Sequence, residues 1–310
     1  MTLQSSPARQ TEALAAAMQQ IAGATETELE QLLPRPEGAT ARLDEAMRYA
    51  CLGGGKRLRA LLVAAGADLF GVPRARSLRV AAAIEMLHAY SLVHDDLPCM
   101  DDDDLRRGKP TLHRAFDEAT AVLAGDALQS QAFAVLADPA THEDAGLRAE
   151  LVAGLARAAG ARGMVGGQVI DIAAEQRSLA GRPLDMAEIT HLQALKTGAL
   201  IRFSAEAGAI LGRAGAADRA ALRDFATDLG LAFQIADDIL DHEGSVEEVG
   251  KAVGKDAAAG KATFVGLLGL DEARARARAL TKSAQAALAG FGPRAGILQA
   301  LAEFVITRRS

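Results

Sequence analysis

The chain has no tryptophan, two tyrosines and an aromatic content of 4%. A core without large rings must be filled by aliphatic side chains, and alanine and leucine dominate. Both are leading helix formers because they lose little side-chain entropy in a helix. Valine, isoleucine and threonine never gather into alternating runs, so the period-2 signature of strands is missing. The expectation is an all-α protein. Two cysteines, Cys51 and Cys99, are too few for a disulfide framework and read as reduced thiols of a cytoplasmic protein. No stretch approaches 18 uncharged apolar residues, and no charged start leads into a long apolar run. Neither a membrane span nor an export signal is therefore expected. There is no basic surplus: the net charge is −6 and the pI is near 5.6, which argues against a general nucleic-acid binder. No Pro-, Gly- or Ser-rich linker divides the 310 residues, and no solenoid period recurs. One domain over 1–310 is expected, its core drawn from the 50% hydrophobic content.

Charge is present, but it is concentrated. "SLVHDDLPCMDDDDLRRGKPT", residues 91–111, sets six aspartates within ten positions and follows them with two arginines and a lysine. The preceding "RARSLRVAAAIEMLHAYSLV" is apolar nearly all round, which marks a central helix. Asp95 and Asp101 stand roughly 120° apart on a straight helix. They converge only if the helix is distorted, and Pro98 supplies a reason. A second cluster lies in "LAFQIADDILDHEG", residues 231–244. There Asp237 and Asp241 share a helix face, roughly 40° apart, with Asp238 beside them. No lysine or arginine stands three or four residues from Asp237 or Asp241, so a divalent cation is the economical partner. All-oxygen ligands favour Mg²⁺, Mn²⁺ or Ca²⁺ over zinc. The order of an EF-hand loop is absent.

The cations suggest what such metals hold. "GGGKRLRA" carries Lys56, Arg57 and Arg59, and Arg106 and Arg107 follow the first aspartates. Lys196 sits inside a long helical segment, "DMAEITHLQALKTGALIRFSAEAGAIL". Lys251, Lys255 and Lys261 lie in a glycine-spaced stretch, 243–262, that reads as an exposed loop or a lid. Carboxylates, divalent ions and this many Lys/Arg groups fit diphosphate esters. "GGGKR" does not satisfy the P-loop pattern. Like charges at 4 Å repel by about 4 kcal/mol at an effective dielectric near 20. A diphosphate among aspartates therefore needs metal between them, and the metal would stabilise it as a leaving group.

"GGGKRLRA", "HAYSLVHDDLPCMDDDDLRRGKPTLH", "LAGDAL", "GMVGGQ", "LKTGAL", "FQIADDILD" and "GKATF" resemble, in order over residues 40–310, the motifs of trans-isoprenyl diphosphate synthases. The likeness is strongest to bacterial members that make farnesyl diphosphate. It implies a bundle of mostly antiparallel helices around a deep central cavity, usually a homodimer. It also implies head-to-tail condensation of isopentenyl diphosphate with an allylic diphosphate under Mg²⁺, three ions in all, with Mn²⁺ as a substitute. By that resemblance Asp95, Asp101 and Asp237 are the principal metal ligands, supported by Asp96, Asp238 and Asp241. Arg106, Lys196 and Lys251, with Lys261 nearby, hold the allylic diphosphate. Lys56, Arg59, His88 and Arg107 hold isopentenyl diphosphate. The carbonyls of Lys196 and Thr197, with Gln234, face the carbocation, and Gly198 fits a helix distortion that frees those carbonyls.

His88 lies seven residues before Asp95, two turns along the same face, and can point into the same cavity. Tyr90 and Ser91 precede Asp95 by about 6–7.5 Å along the axis, where Tyr90 would act as a floor favouring a C15 product. Ala60 stands where the family often has proline, and Phe264 where tyrosine is frequent. Met86 and Met100 read as filler, Asp126 and Asp171 as structural or supporting groups. Arg308 and Arg309 read as solvated charges, with a place over the closed site as the sharper alternative. Three other readings stay open: a C20-forming synthase, a class I terpene cyclase, and a non-catalytic prenyl-diphosphate-binding subunit. The Asp triad of "DDILD" argues against the cyclase, and the intact aspartates argue against the subunit.

Overall fold

Alanine- and leucine-rich stretches become helices, and the breaks fall at glycine, proline and capping residues. In this computed structural model, which describes residues 7–243 and 263–308, α1 (Pro7–Leu32) ends ahead of Pro34. Helix α2 (Ala41–Cys51) stops at a triple-glycine turn with φ of 74° at Gly54 and 119° at Gly55. Helices α3 (Leu58–Asp68) and α4 (Arg74–Asp95) follow. In α4, Val80 to Leu87 are all buried, Met86 among them, so the helix is central as its composition predicts.

The chain then makes a two-stranded ribbon, β1 (Leu105–Arg106) with β2 (Lys109–Pro110). Its two-residue loop has positive φ at Arg107 (53°) and Gly108 (76°), the pattern of a type I′ hairpin turn. This is the one pair of strands among the described residues, and the reading of the sequence did not anticipate it. A short α5 (Leu112–Ala115) leads to α6 (Glu118–Ala137), whose N-cap Asp117 accepts from Thr120 N–H. Helices α7 (Ala145–Ala159) and α8 (Met164–Leu179) come next.

The long segment expected over 185–211 is two helices, α9 (Met186–Lys196) and α10 (Gly198–Leu211), broken at Thr197. Asp185 and Glu188 form a reciprocal capping box at the start of α9. Helix α11 (Ala216–Glu243) carries the second aspartate cluster. After the undescribed residues come α12 (Phe264–Leu268), α13 (Leu270–Ala287) and α14 (Gly296–Thr307), with Gly269 (φ 76°) separating the first two.

Helix α4 packs against α6 and α3, α10 against α3 and α11, and α11 against α13. The approach of α3 to α10 is backbone to backbone. A Cβ on Gly208 would stand 2.3 Å from Ala67 N and 2.8 Å from the Val63 carbonyl oxygen. A smaller apolar cluster, with Leu184, Ile189, Leu192, Ile235 and Phe264, sits where α9, α11 and α12 meet. Among the described residues no helix is long and apolar enough to cross a membrane.

Candidate active site

Helix α4 delivers Asp95 at its last turn and Asp96 at its C-cap (φ −74°, ψ −12°). Beyond Pro98 the chain folds back. Asp101 N–H donates to the Asp95 carbonyl at 2.9 Å, and Asp102, with φ 47°, donates to the Leu97 carbonyl at 3.2 Å. The distortion expected at Pro98 is thus a helix end plus a turn, and it returns Asp101 to the level of Asp95.

The aspartates then divide. Asp96 is buried and its carboxylate accepts from Arg106 Nε at 2.9 and 2.8 Å. Asp95 keeps its carboxyl toward the cavity. Burial pushes its pKa up to about 6; Lys196 opposes that rise, and Asp101 adds to it. Burial thus outweighs the pull of Lys196 and Arg106 on Asp95.

Below it lies a cavity of about 460 Å³, within the range of small-molecule sites. Its polar lining is Arg59, His88, Asp95, Lys196 and Thr197. Its walls are Tyr90, Ser91, His94, Met100, Met164, Val165, Val169 and Ile172. Met100, read as filler, is part of this lining. Lys196 is held by Asp171 of α8, Nζ to Oδ2 at 2.6 Å, which gives Asp171 a definite place. Gly167 makes room for this: a Cβ there would meet Lys196 N at 2.3 Å. At Thr197 (φ −107°, ψ −46°) the helix breaks, and the bond its carbonyl accepts from Ile201 N–H is stretched to 3.4 Å.

A cationic rim lies beside the cavity. Arg107 Nη1 donates to the Gly54 carbonyl at 3.1 Å, and a Cβ on Gly55 would stand 2.4 Å from that nitrogen. Only glycine leaves room for the guanidinium. Arg59 Nε is buried with no hydrogen-bond partner among the described residues, an orphaned donor beside the cavity. Burial and the charges of Arg59, Arg107, Arg106 and Arg57 hold His88 well below the ordinary imidazole range, so it is neutral. Arg57 differs from its neighbours. With φ 47° it turns inward and pairs with Glu85 at 3.1 Å and Glu26 at 2.7 Å, fastening α3 to α4 and α1.

The second aspartate cluster does not line this cavity. Asp237 pairs with Arg308, whose guanidinium stacks 4.1 Å over the Phe233 ring. The positive partner missing from α11 comes from the C-terminal segment, 71 positions on, and Arg308 is not simply solvated. The Lys56 ammonium lies 5.9 Å above the Phe304 ring and feels both Arg308 and Asp237. Asp238 is buried, accepting from Gln234 Nε2 at 3.1 Å and from Phe264 N–H at 2.7 Å. Asp241 is half-buried on the same helix. Lys251, Lys255 and Lys261 lie outside the described residues. Among the described residues no three His, Cys, Asp or Glu side chains stand close enough together to hold a metal. The two aspartate sets are not a ready-made cage.

A largely apolar helical cavity lined by Asp95, Lys196 and Arg59, with an aspartate-rich turn beside it, is the arrangement of enzymes that handle diphosphates of hydrocarbon chains. The chain belongs to the polyprenyl synthetase family, whose model matches residues 40–289. It is 43% identical to the farnesyl diphosphate synthase of Geobacillus stearothermophilus over 286 residues, covering 92% of this chain and 94% of that one. It is 45% identical to the chloroplastic geranylgeranyl pyrophosphate synthase of Catharanthus roseus, covering 86% and 74%. The apo crystal structure of an FPP/GFPP synthase from Zymomonas mobilis superposes with a TM-score of 0.87 at 50% identity, covering 96% of this chain and all of that one.

Proposed function

We propose that the protein condenses isopentenyl diphosphate with dimethylallyl or geranyl diphosphate, head to tail, to give farnesyl diphosphate. The carrying observation is the cavity itself: a largely apolar chamber lined by Asp95, Lys196 and Arg59 together with Tyr90. Relatives are named for products of different lengths, so the C15 reading rests on Tyr90.

The donor set fits Mg²⁺. It is all oxygen, and burial holds the Asp95 carboxyl in a weakly solvated place where a cation would favour its charged form. Asp95 and Asp101 would hold the metal on one side, Asp237 and Asp241 on the other, with three ions by resemblance and Mn²⁺ as a substitute. Bound there, Mg²⁺ supplies Lewis-acid stabilisation of a departing diphosphate.

The chain's own residues do the rest. Arg106 and Lys196 bind the allylic diphosphate, and each is held ready by a carboxylate, Asp96 and Asp171. Lys251 and Lys261 are assigned to the same anion. Lys56, Arg59 and Arg107 bind isopentenyl diphosphate, with neutral His88 donating a hydrogen bond. The allylic C–O bond breaks heterolytically, and the carbonyls of Lys196 and Thr197, with Gln234, face the resulting cation. The alkene of isopentenyl diphosphate forms the new C–C bond, and a proton leaves to the departing diphosphate. Asp238 positions Gln234 and the start of α12. The apolar walls exclude water, which would otherwise trap the cation.

Exposed Val122 and Leu123 on α6, which do not line the cavity, support the homodimer that the resemblance implies. Purified protein with Mg²⁺, labelled isopentenyl diphosphate and geranyl diphosphate tests the reading. A diphosphate longer by one unit supports it. Released hydrocarbon would make the protein a cyclase, and absence of turnover a binding subunit.

A further inference from the structure

Tyr90 does not stand alone in the cavity wall. Its ring meets the His94 ring edge to face, centroids 4.9 Å apart. His94 lines the same cavity one turn further along α4. A carbonyl can only accept, so His94 Nε2 carries a proton and donates it to the Val122 carbonyl of α6 at 3.0 Å. The imidazole lies directly over Gly125. A Cβ built on Gly125 would fall 2.1 Å from His94 Nε2 and 2.4 Å from Cδ2. Ordinary contact begins at 3.4 Å, so any larger residue drives the ring more than 1 Å out of its slot.

We propose that His94, seated in the slot at Gly125, is a specificity-determining residue that sets how far the Tyr90 floor retreats from the growing chain. The inference rests on the reading above and deepens it. Two contacts with α6 act on the pair of rings through His94: Val122 ties the imidazole, and Gly125 fixes the depth of the seat. The rings brace one another, so moving one moves the other. Filling the slot pushes imidazole and phenol into the cavity and shortens the product. Removing the imidazole lets Tyr90 fall back and lengthens it. A displacement of this size is smaller than a five-carbon unit, so product ratios shift without a complete switch.

The test compares wild type, Gly125→Ala, His94→Ala and the double variant, each full-length with Mg²⁺, dimethylallyl diphosphate and excess isopentenyl diphosphate. Products are dephosphorylated and separated by gas chromatography. Gly125→Ala is expected to raise the C10:C15 ratio about threefold or more, and His94→Ala the C20:C15 ratio by a similar factor. That is a small share of the roughly ten- to 200-fold that one methylene commands in an apolar pocket. In the double variant the new methyl meets no imidazole, so the C10 shift must disappear; that non-additivity separates a seat for His94 from general damage to α6. If Gly125→Ala does not fold, His94→Ala decides alone. Unchanged ratios in folded variants, or a C10 shift that persists in the double variant, overturn the inference. A wild type that elongates nothing overturns the reading beneath it instead.

Discussion

Asp171 is the residue that turns Lys196 from a flexible chain into a fixed charge. A lysine carries about 2 kcal/mol of rotamer entropy, and an ammonium held at 2.6 Å by one carboxylate has already lost much of it. Asp95 also attracts this ammonium, so without Asp171 the side chain would swing toward the metal-binding carboxyl. Asp171→Asn is expected to raise KM for the allylic diphosphate about tenfold, corresponding to roughly 1.4 kcal/mol. Its effects on KM for isopentenyl diphosphate and on the melting temperature should be small. Steady-state kinetics with each substrate varied in turn checks this, and Asp171→Glu should recover part of the loss. Equal rises in both KM values would assign Asp171 to general packing.

Helices meet here through their glycines, and the glycines are not equivalent. On α10, a Cβ at Gly208 would run into main-chain atoms of α3, which cannot rotate away. On α11, a Cβ at Gly230 would meet Gly198 Cα at 3.4 Å and the Ile201 side chain at 3.7 Å, both tolerable. Gly208→Ala is therefore expected to cost about 2–3 kcal/mol, at the upper end for overpacking. Gly230→Ala should be neutral or stabilising by up to about 1 kcal/mol from helix propensity. Urea unfolding of both variants measures the contrast; equal costs would mean that the α3–α10 approach does not limit packing.

Such contacts also mark where sequence reading stops. Helix α4 was legible because an apolar run ends at an aspartate pair and Pro98; the capping box of Asp185 and Glu188 that starts α9 was written in "DMAE" but was not read there. The break at Thr197 had no proline to announce it and was expected only by resemblance. The ribbon at 105–110 was missed because two-residue strands have no period. Asp237 and Asp238 look alike in sequence, yet one helical step sends the first to Arg308 and the second inward to Phe264 N–H. Arg308 was beyond any argument from i±4 neighbours.

Over the whole molecule, two buried titrations in the lining of the cavity oppose each other. His88 binds its proton less well in the fold than in the open chain. Between its ordinary 6.5 and its lowered folded value the unfolded state holds more protons, so stability falls as pH drops below about 6.5. Asp95 is the reverse. Its pKa rises from 3.8 to about 6, so over that interval the folded state holds more protons and acid adds stability. In metal-free protein the two partly cancel between about pH 6 and pH 4. His88→Gln removes the loss and should flatten or invert the fall in melting temperature on acidification below pH 6.5. Asp95→Asn removes the gain and should make that fall steeper than in the wild type. Thermal melts with a chelator present, at half-unit steps from pH 7.5 to pH 4, follow both slopes. If the two variants change the slope in the same direction, His88 and Asp95 do not carry the opposite shifts that their shared burial and the surrounding arginines impose.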